Sequence, residues 1–159
     1  MPDWKKIVED HHRWAHAKDD FELVVLPPAS SMDVRMLHST FGFPVPSELR
    51  GFYEQIGGCG VKAGDRKVSW QVVPVTEVAT NIAKARDWFA DTHPKLAARF
   101  FPFIDWDCGD YTGYLQSPLG LKKGLYTFEH ESYEFDADQS AQSFIMKSYK
   151  SLEDFFSPT

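Results

Sequence analysis

Residues 101–115, FPFIDWDCGDYTGYL, set Asp105, Asp107 and Asp110 around a Cys-Gly pair, with aromatics on both sides. Carboxylates at this density suit four uses. They can hold a hard cation such as Mg²⁺ or Ca²⁺, move protons, shape a turn, or face a cationic partner. On an extended strand Asp105 and Asp107 share one face with Phe101 and Phe103, and Asp110 returns from the turn. That trio would be the centre of a metal-dependent hydrolase. Asp and Gly are also what a tight strand-to-strand turn selects, and the turn is the better reading.

Other stretches with chemical potential are weaker. In EDHHRWAH (9–16), His12 and His16 have the four-residue spacing of an HExxH zinc pair, but Arg13 stands where the glutamate belongs. Packing or solvation is expected for both. GGCGVKAGD (57–65) lacks the GxxxxGK[ST] pattern and reads as a helix end plus a turn. No GxSxG elbow occurs, and Cys59 and Cys108, without CxxC spacing, read as free thiols of a cytoplasmic protein. No catalytic residue, metal or cofactor is expected.

LYTFEHESYEFDAD (125–138) alternates aromatic and acidic residues. Glu129 and Glu131 follow Leu125 and Thr127 on one side of a strand, and Tyr126, Phe128 and His130 lie on the other. Tyr133 and Phe135 then alternate with Glu134 and Asp136. The predicted arrangement is two strands with aromatics on the core and carboxylates on a solvated sheet face. The charge distribution points the same way. Residues 105–138 hold eight acids against two lysines, which accounts for the whole formal charge of −6. A nucleic-acid binder needs the opposite sign, whereas an acidic surface attracts a basic protein. No apolar run is long enough to cross a bilayer, so no membrane partner is expected.

The elements that must carry these residues are legible from periodicity. Helices are predicted over 3–17, 30–42, 46–58 and 75–91, with short helices over 94–100, 139–148 and 151–156. Extended segments are predicted over 21–28, 67–75, 101–106, 111–116, 124–130 and 132–136. Strands gather in the second half and helices toward both ends. The fold class expected is α+β, an antiparallel or mixed sheet packed against helices in one domain over 1–159.

The order of four segments resembles the SUKH superfamily, which includes fungal Smi/Knr-type cell-wall-synthesis regulators and bacterial immunity proteins. FGFPVPSELRGFYEQIGG resembles its amphipathic helix with a glycine stop, and SWQVVPVTEV its strand leading into a Pro-led helix. FPFIDWDCGDYTGYL resembles its strand, Gly-Asp turn and strand, and SYKSLEDFF its closing helix. The resemblance implies an α+β fold without catalysis and, for bacterial members, neutralisation of a toxin, often a nuclease, by binding. On this reading the partner-binding residues are Asp105, Trp106, Asp107, Asp110, Tyr111, Glu129, Glu131, Glu134 and Asp136, with Trp106 and Tyr111 as anchors. A regulatory scaffold without a toxin partner is the alternative.

Overall fold

The structure, a computed structural model, describes residues 1–158. It is an α+β fold. Strands β1 (Glu22–Val25), β2 (Cys59–Lys62), β3 (Ser69–Val72), β4 (Phe100–Asp105), β5 (Tyr111–Ser117), β7 (Leu125–Phe128) and β8 (Ile145–Tyr149) pair in the order β1-β2-β3-β4-β5-β7-β8. Every neighbouring pair is antiparallel, and the two-residue β6 (Gly120–Leu121) folds back onto β5.

The helices begin and end where the capping chemistry dictates. In α1 (Trp4–Ala15) the Asp3 carboxylate accepts from the Lys6 amide at 3.1 Å. In α2 (Ser31–Phe41) the Ser30 hydroxyl accepts from the Asp33 amide at 3.1 Å, and Gly42 ends the helix at φ 72°. Helix α3 (Ser47–Gln55) follows Pro46 and buries Leu49, Phe52 and Tyr53. Helix α4 (Val78–Phe89) buries Ile82, Ala85 and Phe89 at helical spacing. Helices α5 (Pro94–Ala97) and α6 (Leu152–Phe155) are single turns.

Two apolar clusters result. One joins Trp4 of α1 to Phe52 of α3, Phe103 of β4 and Phe156. The other sets Phe89 of α4 on Phe100, Phe128 and Phe144. Between them, Phe100–Ile104 of β4 and Tyr111–Leu115 of β5 are buried without a break. Both faces of the central strands are therefore covered, and charge can emerge only where the strands end.

Three expectations are corrected. Residues 59–62, read as a turn, form β2; Gly60 lacks a side chain because a Cβ there would meet the Ser69 carbonyl at 2.4 Å. Residues 139–148, read as a helix, contribute a 3₁₀ turn (Ala141–Ser143) and then β8, because β7 has a free edge that β8 fills. Residues 132–136, read as a strand, begin with the end of a 3₁₀ turn (His130–Ser132) and are otherwise irregular; Phe135 takes φ 57°, a value no strand contains. No helix among the described residues is long and apolar enough to cross a membrane.

Candidate partner-docking site

The acids of the β4–β5 connection are held by short local bonds. Asp105 ends β4, and its Oδ1 accepts from the Asp107 amide at 2.8 Å, an Asx turn. Asp107 then adopts φ 61° and Gly109 φ 101°. Asp107 thus leaves the strand, contrary to the strand-alternation reading, although it still lines one cleft together with Asp105. Its carboxylate accepts from the Ser69 hydroxyl at 3.4 Å. The Trp106 amide donates to the Asp110 carbonyl at 3.2 Å and closes the turn.

Asp110 points elsewhere. Its Oδ1 accepts from the His130 amide at 3.0 Å and pairs with His130 Nδ1 at 2.6 Å. This clamp fastens the β4–β5 turn to the β7–β8 connection. Gly109 makes the approach possible, since a Cβ there would stand 3.1 Å from both His130 and Trp88. Asp105, Asp107 and Asp110 do not converge as a ligand trio.

The remaining acids lie on the β7–β8 connection. Glu129 is half-buried and accepts from the Ser132 hydroxyl at 3.3 Å, while Glu131, Glu134 and Asp136 are exposed. The acids read as a sheet face therefore stand at one end of the sheet. The reason is the double coverage of the central strands by helices distant in sequence.

The aromatics at this end divide in two. Tyr111, read as an anchor, is only 7% exposed and pairs across the sheet with Phe128. Burial raises its hydroxyl pKa, and the charges of Asp105, Asp107 and Cys108 raise it further. Trp106 is 43% exposed, and Phe135, which sequence reasoning placed on the core, is 65% exposed. A continuous series of contacts links them. The turn passes from Trp106 to Asp110 and His130; the Trp88 ring lies 5.5 Å from His130 and 6.4 Å from Phe135.

Beside Trp106 opens a cleft of about 390 Å³ between α1, α6 and the sheet. Trp14, Trp106, Tyr149 and Phe155 line it, together with the carboxylates of Asp105 and Asp154. His11 borders it too, with its pKa lowered by burial despite a bond to the Phe156 carbonyl. Aromatic faces beside carboxylates make a receptor for an ammonium or guanidinium group. The helical periodicity over 3–17 carries no sign of a cleft. On the other side of Asp105 and Asp107 is a smaller cleft of about 290 Å³, where Lys67 and Lys84 offset the acids. His12 Nε2 bonds the Phe21 carbonyl at 3.1 Å, and His16 Nδ1 bonds Asp19 at 2.8 Å.

Comparison with protein-family models decides the relationship. The model of the SMI1 / KNR4 family (SUKH-1) matches residues 28–157. The chain belongs to this family. No curated protein matches it. The SUKH-1 match takes in every strand from β2 onward and the whole acidic end, but not α1. Membership makes the chain a SUKH module, of the immunity kind or the Smi/Knr kind. Part of the wall of its aromatic cleft therefore comes from outside the segment the family defines.

Proposed function

We propose that this SUKH-1 protein is a non-catalytic binding module of the immunity type, acting in the cytoplasm on a basic protein partner such as a nuclease toxin. The observation that carries this reading is the meeting of exposed acids and exposed aromatics at one sheet end. Glu131, Glu134 and Asp136 supply charge that no lysine or arginine neutralises by a salt bridge among the described residues. Trp106 and Phe135 supply apolar area. Buried aromatics carry most of the affinity of such interfaces, and rim charges speed the encounter. A toxin that grips phosphate has the complementary sign. The cleft beside Trp106 receives an arginine or lysine of the partner between its rings and Asp105 and Asp154. The free thiols Cys59 and Cys108 suit a reducing compartment.

The test is co-expression with the product of the adjacent gene in a bacterial host. The expected result is toxicity from that product alone, rescue by the wild-type chain, and co-purification of the two. The triple variant Glu131→Gln, Glu134→Gln, Asp136→Asn should slow association about tenfold at low salt and flatten its salt dependence. An association rate and salt response identical to wild type would remove the acidic end from the interface.

A further inference from the structure

The β4–β5 turn and the residue it clamps bring together a third kind of side chain. Cys108, Asp110 and His130 each present one donor atom, and these atoms all lie within 4.8 Å of one another. The set is chemically mixed: a thiol, a carboxylate and an imidazole. It is distinct from the all-oxygen trio of Asp105, Asp107 and Asp110.

The surroundings hold this set in place. The left-handed residues Asp107 and Gly109 fold Cys108 and Asp110 back toward His130. His130 is fixed by Asp110 through both its amide and its ring, and the Trp88 ring packs against it at 5.5 Å. Cys108 is exposed, while Asp110 and His130 are half-buried, so the group opens to solvent on one side.

Ligand chemistry selects the ion. Mg²⁺ and Ca²⁺ want oxygen alone, whereas Zn²⁺ accepts sulfur, nitrogen and carboxylate oxygen together. With bonds of about 2.0–2.3 Å, tetrahedral zinc ligands stand roughly 3.5 Å apart. The farthest donors here, no more than 4.8 Å apart, need to close by at most about 1.3 Å, and the Asp110–His130 pair, at 2.6 Å, needs to open by about 1 Å. Rotation about the side-chain torsions of exposed Cys108 and half-buried Asp110 supplies both movements. We propose that Cys108, Asp110 and His130 form a three-ligand site for Zn²⁺ or a similar borderline divalent transition metal, with a fourth position left to water. Binding releases the thiol proton and fastens the turn to the β7–β8 connection more firmly than the hydrogen bonds alone.

Co²⁺ is the probe. Added to the metal-free full-length protein, it should produce a thiolate-to-cobalt charge-transfer band and the intense visible bands of a four-coordinate ion, and stoichiometric Zn²⁺ should abolish both. Cys108→Ser should eliminate the charge-transfer band, and Asp110→Asn or His130→Gln should weaken Zn²⁺ binding at least tenfold. Cys108 is exposed, so its variant folds even if the clamp variants do not. Buried Cys59, with its thiol pushed up to about 12, serves as the internal control. The absence of a charge-transfer band in the wild-type protein overturns the proposal, as does a band that survives in Cys108→Ser. A thermal shift of equal size with Ca²⁺ and Zn²⁺ also overturns it, since that outcome reports only attraction of cations to an acidic surface.

Discussion

Trp106 donates its indole Nε1–H to the hydroxyl of Thr112 at 2.9 Å, so an exposed residue of the turn is tied to one of the most buried residues of β5. Thr112 in turn shares a hydrogen bond with Thr127 of β7 at 2.6 Å, and Ser148 of β8 donates to Thr127 at 2.7 Å. A chain of hydroxyls thus crosses three strands and ends on the Trp106 indole. Buried polar networks of this kind hold one geometry when satisfied and cost free energy when broken.

Replacing Thr112 with Val keeps the shape and removes the acceptor. Trp106 and Thr127 each lose a partner, and the folded state should lose about 1–3 kcal/mol. Urea denaturation would show a lower midpoint with an unchanged slope. The Trp106 ring, still edge-on to Phe155 at 5.8 Å, would lose its fixed orientation. Partner dissociation should therefore quicken more than association slows. A midpoint equal to wild type would show that the hydroxyl chain contributes nothing.

Phe135 allows stability and binding to be separated. Its φ of 57° disfavours any side chain, and most of its ring faces water. In Phe135→Gly, relief of this conformation opposes the greater freedom glycine gives the unfolded chain and the loss of the contact with Tyr133, whose ring centroid lies at 4.5 Å. Stability should stay within about 1 kcal/mol of wild type. Binding should weaken at least tenfold if Phe135 is an anchor, by loss of a hot-spot aromatic. Calorimetry on the variant reads both quantities, and unchanged affinity would remove Phe135 from the interface.

His11 gives the fold a pH dependence of defined sign. Burial against Phe155 and Phe156 lowers its pKa in the folded state below the ordinary value of 6.5. The bond to the Phe156 carbonyl opposes this, and the neighbouring His16 and His12 add to it. The unfolded chain therefore takes up the proton first. The stabilisation is complete above about pH 6.5 and is lost as pH falls through the folded value. His11→Gln should show a shallower fall of the urea midpoint between about pH 7 and 5. Parallel slopes in the two proteins would assign the acid sensitivity to other groups.

What the sequence revealed depended on whether the signal was local. The caps at Asp3 and Ser30, the stop at Gly42 and the stripes of α3 and α4 are written within a few residues, and the helices follow them. β2 was hidden because the glycine that looks like a turn signal is what lets the β3 backbone come close. β8 was hidden because its ten-residue surroundings suit a helix, and only the open edge of β7 makes it a strand. The excess of acid at 105–138 was visible as a count. Its place at the end of the sheet was not, because that depends on which helices cover the strands. The clamp between Asp110 and His130 spans twenty residues and has no sequence periodicity to announce it.

Helix α1 stands apart from the matched segment, yet Trp4 anchors it in the shared core and Trp14 lines the cleft. The family architecture and one wall of the cleft are thus partly separable within one chain. The end of α1 bearing Trp4 must obey the fold and His11 is tied to Phe156, whereas Trp14 is exposed and can change with little disturbance to the sheet. A change confined to the last turn of α1 would therefore reshape one wall of the cleft and leave the segment common to the family untouched.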